Sequence, residues 1–179
     1  MNNLTISEKQ LVKCFDRPSI RLKIKAKTKS PVNYNWVNFY EALTISQILE
    51  KGYNWGIRTG KQIGSYYLVI IDLDDKWAKV RMSESCYVQT AKGIHVYLLI
   101  KELPNNKWLV NKNNDKIGEL HSYGRFVVGF GSTHSTGIRY SLKGRNNLKW
   151  FIKLENLSEL EQFLASKNIF LKPWGWKKL

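Results

Sequence analysis

Residues 66–75 read Tyr66-Tyr67-Leu68-Val69-Ile70-Ile71-Asp72-Leu73-Asp74-Asp75. The run is apolar and rich in β-branched residues, with no polar alternation until Asp72, the pattern of a strand buried on both faces. Strand side chains alternate between faces, so Asp72 and Asp74 project the same way while Leu73 continues the Val69 and Ile71 face into the core. Two carboxylates held together at the end of a buried strand suit a divalent cation. Taken alone, Asp-x-Asp reads at least as well as a strand end running into a solvated acidic turn, so the rest of the chain has to decide.

A chain of 179 residues with 43% hydrophobic content can build one substantial core, and a single compact unit is expected. It contains no run of about 18 apolar residues, and Met1-Asn2-Asn3-Leu4-Thr5 lacks the layout of a signal peptide. A soluble cytoplasmic protein without a membrane partner is therefore expected. Cys14 and Cys86 lie in unlike contexts, which supports neither a disulfide framework nor a cysteine zinc site; any metal would rest mainly on oxygen ligands. The net charge of +15, from 29 Lys and Arg against 14 Asp and Glu, exceeds what solubility needs and points to a polyanion, nucleic acid first. The cations cluster: Lys23, Lys25, Lys27 and Lys29 occupy alternate positions, and the tail mixes Trp174 and Trp176 with Lys177. Both groups are candidate nucleic-acid contacts, with an ordinary basic surface and a tail packed on the core as the competing reading.

Three helices are expected. One runs from Ser7 to Phe15 with Ser7 and Gln10 at capping-box spacing, one follows Thr44 and Gln47 and is closed by Gly52, and one begins at Ser158 with Glu161. Trp77 to Met82 reads as a helical turn. Alternation from Ile20 to Lys27 describes a half-buried strand with one basic face. Cys86–Thr90 and Ile94–Ile100 flank Ala91-Lys92-Gly93 as a hairpin, 104–116 reads as an exposed polar loop, and shorter strands are expected over 116–120, 125–130 and 138–142.

Four features then stand in order: Asp72 and Asp74, Gly93-Ile94-His95, Glu119, and Ser132-Thr133-His134 in a glycine-rich turn. Singly each is weak. Together they resemble the catalytic core of the archaeo-eukaryotic primase superfamily, in particular its primase-polymerase branch from plasmids and viruses. Asp72-Leu73-Asp74 matches the family's Asp-hydrophobic-Asp/Glu, Gly93-Ile94-His95 its small-x-His, and Glu119 in Ile117-Gly118-Glu119-Leu120 is similar to its third carboxylate. That branch commonly has Asp there, preceded by an apolar residue, so Gly118 and Glu119 depart from the pattern. Asn54-Trp55-Gly56-Ile57-Arg58-Thr59-Gly60, Lys29-Ser30-Pro31, Gly124-Arg125-Phe126-Val127-Val128 and Ser132-x-His134-x-x-Gly137-x-x-Tyr140 resemble further signatures, which extends the likeness over about residues 25 to 140.

The resemblance implies an α/β (α+β) fold: an RNA-recognition-motif-like mixed sheet over about 61–150, joined to a small N-terminal αβ module over about 1–60 and followed by a helix and basic tail over 151–179. It implies template-directed DNA synthesis from nucleoside triphosphates, a primase or polymerase activity serving replication of a plasmid, virus or mobile element. Asp72, Asp74 and Glu119 would hold two Mg²⁺ or Mn²⁺ ions about 4 Å apart, with no zinc. His95 would contact the nucleotide's triphosphate; Lys92, Arg58, Ser132 and His134 are further candidate nucleotide contacts. The partners implied are single-stranded DNA template and nucleoside triphosphates, with a helicase or helical template-recognition domain supplied separately. Two alternatives stand beside this: a replication protein that binds single strands without chemistry, and a metal-dependent nuclease, which would not explain the ordered Gly-Ile-His and Ser-x-His signatures.

Overall fold

The structure, a computed structural model, describes residues 4–74, 78–82, 85–144 and 150–175. Helix α1 spans Ile6–Phe15 and starts two residues before the expected box: Thr5 is the cap, its hydroxyl accepting the Glu8 N–H at 3.2 Å while the Glu8 carboxylate accepts the Thr5 N–H at 2.9 Å. Glu8 wins over Gln10 because the same carboxylate also meets Arg139 at 2.7 Å, which ties the helix start to a distant segment. Helix α2, Ile45–Glu50, is capped by Thr44 and Gln47 as the sequence predicts, and Gly52 leaves it at a φ of +78°, where a side chain would be strained. Helix α3 is the short turn Ala78–Arg81; Trp77, expected to open it, lies outside the described residues. Helix α4, Leu157–Ala165, is capped not at Ser158 but by Asn156, whose side chain accepts the Glu159 N–H at 3.0 Å, and Asn is among the best capping residues.

The strands are β1 Arg21–Ile24, β2 Asn54–Arg58, β3 Gln62–Ile63, β4 Tyr66–Leu73, β5 Tyr87–Gln89, β6 Ile94–Ile100, β7 Lys107–Val110, β8 Lys116–His121, β9 Phe126–Val128, β10 Ser141–Lys143, β11 Ile152–Leu154 and β12 Phe170–Pro173. They form a three-stranded sheet, β1-β2-β9, and a larger one ordered β10-β5-β6-β4-β8-β7-β12, with β11 beside β6 and β3 beside β4. Among the described strands only β6–β11 pair in parallel, so the fold is mixed α+β built mostly on antiparallel sheets. Because β9 completes the small sheet, a boundary near residue 60 does not separate one sheet from the other.

Two expectations are corrected. The basic strand ends at Ile24 rather than Lys27: Lys25 N–H bonds the Ser30 carbonyl at 2.9 Å and Lys27 takes a φ of +55°, so Lys25 to Lys29 form a hairpin tip. The segment 104–116 is not a plain loop, since it contains β7, whose Trp108, Leu109 and Val110 pair with β8 on one side and β12 on the other. Strands β11 and β12 had no expectation at all; each is short and acquires its identity from the longer strand it pairs with.

Strand β4 organises both cores. Leu68, Val69, Ile70 and Ile71 are each 0% exposed, and burial of such a side chain stabilises by about 1.5–3 kcal/mol. Leu68 and Ile70 face a cluster containing Phe15, Ile48, Trp55 and Phe130, contributed by α1, α2, β2 and the turn after β9. Val69, Ile71 and Leu73 face the opposite cluster, with Ala78, Met82, Leu160 and Leu164 from the segments around α3 and α4. Among the described residues no helix is long and apolar enough to cross a membrane.

Candidate active site

Strands β6, β4 and β8 run side by side, and their register places His95, Asp72 and Glu119 directly opposite one another. Residues paired in this way share a face, so the three side chains form a row across the sheet. His95 Nε2 lies 3.4 Å from Asp72 Oδ1. Asp74 follows at the strand end, its N–H bonded to the Ile117 carbonyl at 3.0 Å. Asp72, Asp74, His95 and Glu119 line a cleft of about 710 Å³, which Phe126, Val127 and Val128 of β9, Lys29 and Tyr140 also line.

Two glycines permit the close packing at this end of β4. A Cβ on Gly93 would stand 1.7 Å from the Leu73 carbonyl oxygen, and one on Gly118 would stand 2.1 Å from that of Asp72. The departure at Gly118 therefore has a steric reason in this chain: no larger residue fits between Glu119 and the backbone of its partner strand.

Burial drives the His95 imidazole down to about 4, against the pull of the Asp72 charge, so at physiological pH it is neutral and offers one N–H. Burial raises the Asp72 carboxyl, but the His95 and His121 imidazoles outweigh it and hold the group below the usual value, ionised. Asp74 moves the other way, raised by burial and by the charges of Asp72 and, more weakly, Glu119, with Lys29 and Lys92 opposing. Burial together with Asp72 and Asp74 pushes the Tyr140 hydroxyl up to about 12, so it stays protonated beside them.

The other expected contacts separate into two groups. Lys29 reaches the cleft, carried there by the hairpin tip, and Lys92 is exposed near Asp74. Arg58 is 3% exposed, and its guanidinium donates to the carbonyls of Pro18, Trp36 and Phe39. Ser132 is likewise buried, its hydroxyl accepting the Trp55 N–H at 3.1 Å. His134 holds its own turn through Thr136 at 2.9 Å, and its ring stands 6.4 Å from that of Tyr140. Lys23 lies over the Tyr53 ring, Lys25 and Lys27 are exposed on the hairpin, and Trp174 is 42% exposed; Trp176 and Lys177 lie outside the described residues.

Two cleft residues had no expectation. His121 brings Nε2 to 3.6 Å from Asp72 Oδ2 and 3.9 Å from Glu119 Oε2. Its signal was the spacing Glu119-x-His121, which puts both side chains on one face of a strand. Lys116 pairs with Glu119 at 2.6 Å and lies 4.4 Å from the Trp108 ring centroid. An irregularity in register between Leu109 and Val110 brings it to that side, which no sequence pattern announced.

Among the described residues no three His, Cys, Asp or Glu side chains are grouped tightly enough to hold a metal ion as they stand. In kind the donors fit a hard divalent cation: three carboxylates face one cleft, and Asp74, raised first by burial, also feels the charge of Asp72 beside it. Glu119 would first have to release Lys116. No family model matches the chain, and no curated protein matches it.

Proposed function

We propose that the chain is a nucleotidyltransferase of the primase-polymerase kind, which extends or initiates a strand on a single-stranded DNA template from nucleoside triphosphates. The observation that carries this reading is the row His95–Asp72–Glu119 across three adjacent strands, opening with Asp74 into a single cleft. It brings together residues whose order along the chain resembles the family's motifs, and which are 23 to 47 positions apart in sequence. In this reading the large sheet backed by α3 and α4 is the RNA-recognition-motif-like catalytic sheet.

In the reaction a 3′-hydroxyl oxygen attacks the α-phosphorus of the incoming nucleotide; the new P–O bond forms as pyrophosphate leaves and the hydroxyl proton passes to solvent. Asp72, Asp74 and Glu119 would hold Mg²⁺ or Mn²⁺, which when bound neutralises phosphate charge and aligns the two oxygens. The remaining work belongs to the chain. Neutral His95 turns Nε2 to Asp72 and orients that carboxylate without adding charge, Lys29 and Lys92 balance the triphosphate, and Tyr140 remains a hydroxyl donor throughout the working pH range. Phe126, Val127 and Val128 give the cleft an apolar wall against which sugar and base exclude water.

A second reading, a replication protein that binds single strands without chemistry, is favoured by the Lys116–Glu119 ion pair, which occupies the third carboxylate with an internal cation. A denaturing-gel assay with single-stranded template, labelled nucleotides and Mn²⁺ or Mg²⁺, with and without primer, separates the two. Metal-dependent lengthening by wild type and none by Asp72→Asn supports the enzyme; no product from a folded protein that binds DNA tightly supports the binding module, and shortening of the labelled strand identifies a nuclease.

A further inference from the structure

The row of paired residues does not stop at the carboxylates. Trp108 on β7 pairs with Glu119, and Lys172 on β12 pairs with Trp108, so the row continues on the same face across the outer strands. Trp108 and Trp174 meet there with ring centroids 6.4 Å apart at 60°, Lys116 Nζ lies 4.4 Å from the Trp108 centroid, and the Arg125 guanidinium lies 4.6 Å from the Trp174 centroid. Trp174 is 42% exposed, and Arg125 is exposed at the start of the segment leading into β9, a wall of the cleft. Trp108 Nε1 is buried without a hydrogen-bond partner, which carries a desolvation cost.

We infer that this outer flank is a stacking shelf for single-stranded nucleic acid, with Trp174 supplying the ring face and Arg125 and Lys116 the phosphate contacts. Two properties select this occupant. An exposed indole accepts any base face, and a guanidinium stacked on an indole keeps its planar edge available to a phosphate, so one patch satisfies both parts of a nucleotide. The chain's net charge of +15 adds long-range attraction for a polyanion. Strands lie about 4.8 Å apart, so Trp108 stands roughly 10 Å from Asp72, two strands along the row. The cleft thereby acquires a direction: the single strand enters over β12, β7 and β8, and the triphosphate lies on the His95 flank of Asp72. The shelf rests on the proposed reading for its substrate but not for its chemistry.

The test is fluorescence anisotropy of a labelled oligothymidylate, read in EDTA so that no metal or turnover contributes, across a salt series. Wild type is expected to bind. Trp174→Ala is expected to weaken binding about 5- to 150-fold, the range for one lost stacked base, while Trp174→Phe retains most of it. Arg125→Ala is expected to reduce the slope of log affinity against log salt by about 0.7, one phosphate contact on a single strand. Trp174 is exposed, so its variants are expected to melt with wild type. Binding by Trp174→Ala and Arg125→Ala within twofold of wild type would overturn the shelf and leave the proposed synthesis standing, and a duplex competing as well as the single strand would also overturn the shelf. Failure of wild type to bind at low salt would overturn shelf and substrate together, whereas shelf-dependent binding without Asp72-dependent synthesis would overturn only the enzyme.

Discussion

Gly118 lies against the backbone of Asp72: a Cβ at residue 118 would stand 2.1 Å from the Asp72 carbonyl oxygen. The residue before Glu119 thus sets how closely β8 approaches β4, and with it the separation of Glu119 from Asp72. The glycine before the third acid and the spacing of the acids are one structural fact.

Gly118→Ala is expected to destabilise the protein by about 2–4 kcal/mol, because the clash is with backbone, which cannot rotate away. Gly64 is the control. It has a φ of +64° with open space around its Cβ position, so Gly64→Ala meets only left-handed strain of about 1–2 kcal/mol. Urea denaturation compares them; equal costs would remove the steric account of Gly118.

Asp72→Asn keeps the shape of the side chain and removes the charge at the centre of the row. Template-directed incorporation is expected to fall at least about 100-fold, the scale for losing a charge that supports phosphoryl transfer. Binding of single strands in EDTA and the circular dichroism spectrum are expected to be unchanged. An unfolded variant would instead assign Asp72 to structure.

Arg58 is a candidate nucleotide contact by sequence, yet its guanidinium holds the carbonyls of Pro18, Trp36 and Phe39. Arg58→Met leaves those acceptors without a donor and is expected to cost about 3 kcal/mol or more in urea unfolding, since each buried unsatisfied group costs about 1–3 kcal/mol. Nucleotide affinity measured by calorimetry on the folded fraction is expected to stay within twofold. A selective loss of affinity at unchanged stability would return Arg58 to the site.

Strand β4 was legible because eight consecutive residues carry a signal that no neighbour has to supply, and the Gly93–His95 hairpin because a three-residue turn fixes its own register. The face shared by Asp72 and Asp74 followed from strand periodicity alone. What could not be read depends on partners remote in sequence. Arg58 and Ser132 look like site residues until the carbonyls and the Trp55 backbone they bond are known, and β12 is a strand only because β7 accepts it as an edge. Lys116 reached Glu119 through an irregularity in register, which composition does not encode. The lysine hairpin shows the same limit in reverse: alternation continued past Ile24, but the bond from Lys25 to Ser30 turned the chain first.

His95 gives stability a pH dependence of definite sign. Its imidazole titrates near 4 in the folded protein because burial disfavours the cation, and near 6.5 in the unfolded chain. Between these values the unfolded state binds more protons, so stability is full above about pH 6.5 and falls as the pH drops toward 4. By pH 5 the loss from this group is about 2 kcal/mol, from 1.36 kcal/mol per pH unit over most of that interval. Asp72 and Glu8, both held below their usual values, lose their contributions only at lower pH, and Asp74, held above its usual value, contributes with the opposite sign, so the difference between wild type and a His95 variant isolates this group. Urea unfolding at pH 7.5 and pH 5.0 is expected to show wild type losing about 2 kcal/mol more than His95→Gln, which has nothing to protonate there. Equal losses in the two proteins would mean that His95 is already charged in the fold, and would make it a cation paired with Asp72 rather than a neutral ring that orients it.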